Sequence, residues 1–358
     1  MLLNVTFLPF IAAFIAVSVL TPISIGFIKK LGLIDDPKKH KHPAILHEKP
    51  TPRGGAIPFF IGVLIVSLLF IPISKTVFFL FLGSFLALIV GVLDDKFDIS
   101  PYFRFILNII SAVIIVAGGI SIPFVTNPFG GTLHLDSLNL SFTFLNQGIV
   151  LLFSDLVAIV WFVWVMNILN WSKGVDGQMP GIIAISGIVI GILSLRFPIL
   201  TQSDLISATL SFTLAGASLG FLIFNFYPAK IFPGYGATSI YLLLAAVSIL
   251  SSVKLATAIL VMGIPMIDGT VTIVRRILSG KSPFRHDKKH FHHLLLEMGL
   301  GQRKVALFYW LISAILGSLS LFLSSKGKLF AVIMIIIVLG GSLLFLHFII
   351  QRKDETNN

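Results

Sequence analysis

The chain has 358 residues, of which 56% are hydrophobic and only 11% are charged; soluble globular chains carry roughly 25% charged residues, so a soluble enzyme is excluded. The 33 phenylalanines, set in long apolar runs, exclude a disordered chain, and the absence of cysteine excludes disulfides, thiolate metal sites and a cysteine nucleophile. The formal net charge of +11 is typical of a membrane protein with basic cytoplasmic loops beside anionic lipid, and we expect no nucleic-acid partner.

Apolar segments that could cross a bilayer occur eleven times along the chain. A spanning helix needs about 20 mostly apolar residues, so the sequence predicts an all-α polytopic integral membrane protein with a single membrane domain over 1–358. The first segment lacks a basic leader and is too long for a signal peptide, which predicts a retained helix. The segments are 5–28, 56–73, 77–93, 103–121, 149–169, 180–196, 205–224, 237–252, 255–274, 305–323 and 329–350.

The distribution of lysine and arginine predicts the orientation of these segments. With the N-terminus outside, the inside connections and the tail hold 21 of the 26 basic residues. The positive-inside rule therefore predicts an outside N-terminus and a cytoplasmic C-terminus. The longest outside connection, 122–148, contains alternating leucines and predicts a small hairpin. The predicted cytoplasmic loops that carry the active site are 29–55, 94–104, 170–179, 225–236 and 275–304.

Basic residues beside glycines form the first polar cluster, in the segment 35–55. Lys49 and Arg53, next to Gly54 and Gly55, are suited to bind phosphate oxygens. The alternative is an ordinary positive-inside loop.

Two adjacent carboxylates, Asp94 and Asp95, form the second cluster at the end of the third segment. They repel each other and lose hydration at a membrane boundary, so they need compensation from a metal, a lysine or a shared proton. The alternative is a solvated helix end, although the C-terminal end of a helix disfavours anions. We favour a functional pair.

Side-chain oxygens form the third cluster, which contains Asn167, Asn170 and Asp176. The two asparagines are three residues apart and share one face if the helix persists. Amide and carboxylate oxygens are hard ligands that suit magnesium. The alternative is helix packing through the asparagine amides.

Aromatic residues dominate the fourth cluster, where Phe232 and Tyr235 follow Asn225 and Lys230. Aromatic rings can stack on a base, and lysine can pair with a phosphate. An aromatic belt at the membrane interface is an equally good interpretation.

Histidines mark the fifth cluster, with His290, His292 and His293 among basic residues. Two of them are adjacent and no matching cysteine or histidine set occurs elsewhere, so a pyrophosphate grip is favoured over zinc. The spacing around Lys281 does not fit a P-loop. Asp268 adds a buried acid near the same face. All five clusters reach one face, as an enzyme acting on a phosphorylated lipid and a charged cytoplasmic substrate would need.

These residues resemble the polyprenyl-phosphate N-acetylhexosamine-1-phosphate transferases, the MraY/WecA superfamily, from Gly32 to about Lys304. The residues of the histidine motif are similar to those of the family branch that uses a simple UDP-amino sugar. The matching motifs are Pro52–Gly55, Gly91–Asp95, Phe97–Pro101, Asn167–Gly177, Asn225–Phe232, Pro265–Asp268, Ser282–Phe284 and Asp287–His293.

The resemblance implies transfer of N-acetylhexosamine-1-phosphate, chiefly GlcNAc-1-phosphate, from a UDP-sugar to undecaprenyl or decaprenyl phosphate, with release of UMP. It implies Mg²⁺, or Mn²⁺ in its place, in a multi-pass plasma-membrane enzyme that initiates cell-wall or surface-glycan synthesis; a homodimer is left open. Asp94 and Asp95 would bind or deprotonate the lipid phosphate. Asn167 and Asp95 would hold the metal. The substrate-binding residues would be Lys49, Arg53, Asn170, Asp176, Asn225, Lys230, Phe232, His290, His292 and His293.

Two positions depart from the family pattern. The family has aspartate, normally a magnesium ligand, where this chain has Tyr235, and aspartate where it has Lys173. Either other acids supply the metal's carboxylates, or Lys173 partly replaces the metal, or the protein is inactive. The competing hypothesis is therefore a binder or transporter of polyprenyl phosphate or nucleotide sugar. A transporter would show repeated halves and paired broken helices, and the sequence shows neither.

Overall fold

The computed structural model describes residues 2–38, 46–127, 129–144, 147–171, 173–250, 255–282 and 290–356. The predicted loops 29–55 and 275–304, the second of which includes Asp287, therefore fall partly outside the described residues. Within the described part, helices form most of the chain, with three two-stranded antiparallel sheets between them.

The helices follow the apolar segments of the sequence. The predicted segment 255–274 corresponds to two helices, α10 and α11, bent by 85° at the break between them. The helices are α1 (Leu2–Val5), α2 (Phe7–Lys30), α3 (Ala56–Phe70), α4 (Lys75–Phe97), α5 (Pro101–Ala117), α6 (Phe153–Trp171), α7 (Gln178–Ser194), α8 (Gln202–Asn225), α9 (Ala237–Leu250), α10 (Leu255–Val261), α11 (Gly263–Leu278), α12 (Phe291–Glu297), α13 (Gln302–Phe322) and α14 (Ser325–Thr356).

The strands lie in two connections. The first sheet pairs Ile34 with Pro52 and so brings both ends of the first polar loop together. The other two sheets form consecutive hairpins in place of the single hairpin predicted at 122–148. The helix of the fifth predicted segment, α6, begins at Phe153, not at 149 as predicted. The strands are β1 (Ile34–Asp35), β2 (Thr51–Pro52), β3 (Phe124–Thr126), β4 (Thr132–His134), β5 (Asn139–Phe144) and β6 (Gln147–Leu152).

Local sequence signals fix several helix ends. The Ser74 side chain accepts a hydrogen bond from the Val77 amide at the start of α4, and Pro101 occupies the first turn of α5, where its missing N–H costs nothing. Thr201 and Asp204 form a reciprocal capping box at the start of α8. α4 continues through Asp94 and Asp95 to Phe97, so the predicted loop 94–104 is shorter than expected.

Helix α9 lies at the centre of the bundle. Every residue from Ala237 to Ile249 is buried, and α3, α4, α6, α7, α8 and α10 all contact it. The outer helices expose large apolar side chains instead; on α2, Val19 and Ile23 are 53% and 69% exposed. Such exposure suits lipid, in which a helix satisfies its own backbone hydrogen bonds.

Among the described residues, six helices are long and apolar enough to cross a membrane, or seven if the bent pair forms one span, and four shorter helices are also apolar. The molecule is thus a polytopic helical membrane protein. The number of eleven spans and their orientation stay predictions.

Candidate active site

One cavity of about 680 Å³ lies where α4, α6 and α8 end and α5, α7 and α9 begin. It receives eleven of the thirteen predicted site residues, from all five clusters, so these segments do meet in space. Lys49 and Lys230 are exposed and do not line the cavity. The predicted residues that line it are Arg53, Asp94, Asp95, Asn167, Asn170, Asp176, Asn225, Phe232, His290, His292 and His293.

Asp94 is buried and bound by an arginine. Nη1 of Arg104, one turn into α5, lies 2.7 Å from both carboxylate oxygens, and the Ile99 amide donates to Oδ1 at 3.1 Å. The Asp94 side chain is only 2% exposed. A guanidinium therefore supplies the compensation for which the sequence suggested a metal, a lysine or a shared proton.

Asp95 has its own arginine. Nε of Arg53 lies 2.7 Å from Oδ1 of Asp95, whose side chain is 1% exposed. The backbone N–H of Tyr235 donates to both carboxylate oxygens at 2.9 Å. A buried carboxylate with a charged partner and a backbone donor avoids the cost of an unpaired buried charge.

A close backbone contact positions these acids. Gly91, one turn before them on α4, packs against Gly236, and a Cβ atom at Gly91 would overlap the backbone of Tyr235 and Gly236. The missing side chain at Gly91 thus allows α4 to approach the start of α9 closely enough for the Tyr235 amide to reach Asp95.

Tyr235 and Lys173 form one packed unit with Arg104. Cζ of Arg104 lies 4.6 Å from the centroid of the Tyr235 ring, and Nζ of Lys173 lies 5.8 Å from it, within the range of cation–π attraction. Nζ of Lys173 donates to the Gly234 carbonyl at 2.5 Å, and Asn108 donates to the Tyr235 hydroxyl at 3.3 Å. Burial lowers the pKa of Lys173 to about 7 and raises the pKa of Tyr235.

The acid centre, by which we mean Asp94, Asp95, Arg53, Arg104, Lys173 and Tyr235, does not fit a divalent cation. Three cations surround two carboxylates, and both carboxylates already accept charge-assisted hydrogen bonds. Asp35 lies 3.9 Å from Arg53 as a further acid beside the centre. Magnesium requires oxygen ligands with available lone pairs, and no three His, Asp or Glu side chains converge as ligands in the part of the chain that the structure describes.

Asn167 and Asn170 lie on the cavity side of α6, which persists to Trp171 as the predicted shared face requires. Nδ2 of Asn167 donates to the Val163 carbonyl at 2.7 Å. Oδ1 of Asn170 is buried and makes no hydrogen bond with any other described residue. A buried oxygen without a hydrogen bond is uncommon, and this one could accept a hydrogen bond from a bound substrate.

Asp176 and Asn225 join two of the predicted loops. Oδ2 of Asp176 accepts from the Ala229 amide at 2.9 Å, and burial raises the pKa of this carboxyl. Oδ1 of Asn225 accepts from Gly177 at 3.2 Å, and its Nδ2 donates to Ile231 at 2.9 Å. Both ends of the Asn225 amide are thus engaged with backbone, which makes this residue a brace between the loops.

An aromatic wall faces the same side of the cavity. The rings of Phe232 and His47 contact edge to face, with centroids 4.9 Å apart. Nε2 of His47 lies 3.8 Å from Asp35. The backbone bridge between Arg53 and Phe232 keeps this wall beside the acid centre.

The histidine cluster, by which we mean His290, His292 and His293, lies around the start of α12. Asp268 anchors it: Oδ2 lies 3.1 Å from Nδ1 of His290, and Oδ1 accepts from the Phe291 amide at 2.9 Å. The His290 and His292 rings are parallel with centroids 5.7 Å apart. Burial, together with the neighbouring histidines, lowers the pKa of His292. Its ring packs against Gly174, where a Cβ would overlap it.

Several cavity residues were not named as site residues from the sequence, although three of them lie in the first and fifth clusters. Arg104, Arg276, Asp35 and His47 all line the cavity. Arg276 belongs to the fifth cluster of the sequence, whereas Arg104 was counted only as a basic residue of an inside loop, and nothing in the sequence pairs Arg104 with Asp94. Cζ of Arg276 lies 5.4 Å from the centroid of the Trp171 ring, which closes the cavity beside the histidine cluster.

Residues 77–252 match the family model described as glycosyl transferase family 4. The matched range includes α4 to α9, and with them the acids, the asparagines and Tyr235.

Proteins with curated descriptions are similar over most of their length. A Mycobacterium leprae protein described as decaprenyl-phosphate N-acetylglucosaminephosphotransferase is 30% identical over 87% of this chain and 83% of its own. A Bacillus subtilis protein described as "Probable undecaprenyl-phosphate N-acetylglucosaminyl 1-phosphate transferase" is 29% identical over 97% and 92%. A Thermotoga maritima undecaprenyl-phosphate alpha-N-acetylglucosaminyl 1-phosphate transferase is 28% identical over 94% and 95%.

Proposed function

The chain belongs to the polyprenyl-phosphate N-acetylhexosamine-1-phosphate transferases of glycosyl transferase family 4, and on that premise we propose that it transfers GlcNAc-1-phosphate from UDP-GlcNAc to undecaprenyl or decaprenyl phosphate. UMP is the second product. We place the cavity on the cytoplasmic face of the cell membrane, where nucleotide sugars are available and where the basic loops are predicted.

The observation that carries this proposal is the convergence of the five clusters on one cavity. A nucleotide sugar and a lipid phosphate need a polar site with cations for phosphate and an aromatic surface for a base. The cavity offers Arg53, Arg104 and Lys173 for phosphate oxygens and the Phe232–His47 wall for uracil. The histidine cluster is the third recognition element, and it suits the diphosphate.

In the transfer, an oxygen of the lipid phosphate bonds to the phosphorus that carries the sugar. The bond from that phosphorus to the bridging oxygen breaks, and UMP leaves with the bridging oxygen and its negative charge. Cationic donors held in place by buried acids can stabilise that charge without reorganising during the reaction. Asp94 and Asp95 would thus act by fixing the two guanidinium groups against the substrate.

The test is a reaction of the purified protein with UDP-GlcNAc and undecaprenyl phosphate. We expect UMP and a lipid-diphosphate sugar in equal amounts, with no UMP when the lipid phosphate is left out. UDP-GalNAc and UDP-MurNAc-pentapeptide in parallel reactions identify the sugar. Glu48→Gln, which alters an exposed acid outside the cavity, is the matched control for variants of the acids.

A second candidate function is a binder that retains the substrates without reacting them. The observation in its favour is the acid centre itself, whose carboxylates are both engaged with arginines. Saturable binding of UDP-GlcNAc without UMP release, at every metal concentration and with both lipid phosphates, would favour the binder over the transferase.

A further inference from the structure

The charged side chains around Asp94 and Asp95 are organised as an anion site. We propose that Arg53, Arg104 and Lys173, arranged around Tyr235, bind the phosphate oxygens directly and supply the positive charge of the transfer, so that this chain needs no divalent cation. The proposal rests on the proposed function for its substrate, a phosphate ester.

The first step of the argument is the hydrogen bonding of the two acids. Asp94 accepts three contacts, two from Nη1 of Arg104 at 2.7 Å and one from Ile99. Asp95 accepts three contacts too, from Arg53 and from the Tyr235 amide. A metal that bound the carboxylate oxygens already occupied by guanidinium groups would displace those groups and leave buried cations without partners.

The second step concerns Tyr235. The ring of Tyr235 makes cation–π contacts with Arg104 and Lys173, and its hydroxyl oxygen accepts a hydrogen bond from Asn108. A neutral tyrosine is a poor ligand for magnesium, but its ring attracts cations. The same residue thus disfavours a metal and holds two cationic side chains in place.

The third step concerns access. The Arg53 side chain is 36% exposed and that of Arg104 is 14% exposed, whereas the acids behind them are nearly fully buried. Both arginines and Lys173 line the cavity. The cations therefore face the space that a phosphate would occupy, with the acids behind them as anchors.

The charges facing Lys173 come from several elements. Asp94 and Asp95 on α4, Arg104 on α5 and Arg53 before α3 all act on its ammonium group. Two carboxylates and two guanidinium groups surround the Lys173 ammonium group, so the negative and positive charges of its neighbours balance. An incoming phosphate would supply an excess of negative charge.

The experiment measures metal binding and catalysis separately. Binding of Mn²⁺, as a spectroscopic substitute for Mg²⁺, is followed by electron paramagnetic resonance on the purified protein. We expect no binding by the wild-type chain below millimolar Mn²⁺. The double variant Lys173→Asp/Tyr235→Asp should bind Mn²⁺ at least about tenfold more tightly, because ligand charge sets the affinity for hard cations.

The matched control is Lys304→Asp, which makes the same Lys-to-Asp exchange on an exposed lysine in the first turn of α13, where a carboxylate is tolerated. It should bind no more Mn²⁺ than the wild type. Lys173→Met is the second variant, because it removes the charge with little change of shape if the double variant fails to fold.

In the catalytic arm, UMP release by the wild type should be unchanged in EDTA, and Lys173→Met should lower it by about 10²-fold, the typical loss for one charge-stabilising donor. Tight Mn²⁺ binding by the wild type, or release that stops in EDTA and returns with Mg²⁺, would overturn the inference. If no preparation releases UMP, the proposed function fails. The inference then stands or falls on Mn²⁺ binding and on whether wild type, but not Lys173→Met, binds UDP-GlcNAc in EDTA.

Discussion

The acid centre and the histidine cluster line one cavity, but they stabilise their buried polar side chains in different ways. In the acid centre both buried carboxylates have a guanidinium partner within hydrogen-bonding distance, Arg104 for Asp94 and Arg53 for Asp95. In the histidine cluster a single acid, Asp268, anchors His290, and burial lowers the pKa of His292 so that its ring stays neutral. The first region depends on charge, and the second on shape.

This difference teaches what each region tolerates. Removing one partner from a buried ion pair leaves an uncompensated charge, which typically costs about 3–5 kcal/mol. Packed rings lose little when a distant charge changes, but they have no room for extra atoms because interiors are close-packed. Charge changes should therefore affect the acid centre most, and added volume should affect the histidine cluster most.

The largest effect is expected at Asp95. Asp95→Asn keeps the volume but removes the charge that holds Arg53, so initial rates of UMP release should fall by about 10²–10³-fold, as for the loss of one charge-stabilising donor. Asp94→Asn should lower the rate to a similar extent, because it removes the charge that holds Arg104. Gel filtration and melting curves in detergent check that both variants are folded. Rates above a tenth of wild type for both would show that charge is not what matters in this region.

A smaller effect is expected where volume is added. Gly174→Ala places a methyl group against the His292 ring, and such overpacking costs about 1–3 kcal/mol. UMP release should fall by roughly tenfold without a change in its salt or pH dependence. Gly301→Ala is the matched control, since nothing lies near a Cβ at that position. Equal losses of UMP release in Gly174→Ala and Gly301→Ala would contradict the proposal that the histidine cluster depends on shape.

The pH dependence should separate the two regions further. Burial lowers the pKa of Lys173 to about 7, and the protonated form is the one that attracts phosphate. Binding of UDP-GlcNAc should therefore be strongest below pH 7 and weaken as the pH rises through 7, by at most about tenfold per unit. The diester phosphates of this ligand do not titrate there. Calorimetry from pH 6 to 8.5 should show a flat profile for Lys173→Met; an unchanged slope in that variant would assign the titration elsewhere.

The smallest effect is expected for two residues that belong to neither region. Lys49 and Lys230 are exposed and lie outside the cavity, so Lys49→Ala and Lys230→Ala should leave UMP release within about twofold, as surface substitutions usually do. A tenfold loss in either variant would mean that substrate extends beyond the cavity and would restore the sequence-based prediction for that lysine.

The apolar segments predicted where helices lie, because hydrophobicity and length alone decide which stretches can be helices in lipid. They could not predict the 85° bend between α10 and α11, since an apolar run carries no information on the direction of its two halves. The start of α6 was misplaced for a related reason. Gly148 to Leu152 is as apolar as the helix that follows, yet it pairs with β5 as a strand.

The site was predicted where a residue type carries its own chemistry. Asp94, Asp95 and the histidines stand out because charged or ionisable groups at a membrane boundary require a reason. Arg104 did not stand out, because an arginine at an inside loop already has an ordinary explanation. Its role depends on a contact between two helices, and only the folded chain reveals it.

The contact between Gly91 and Gly236 has a consequence for protein design. A designer who wished to transplant the anion site onto another scaffold would be inclined to copy the charged residues alone. The Tyr235 amide reaches Asp95 only because two backbones touch with no side chain between them. A transplanted site would therefore have to reproduce this absence of atoms as well as the charges, because an alanine in place of Gly91 would push the two backbones apart.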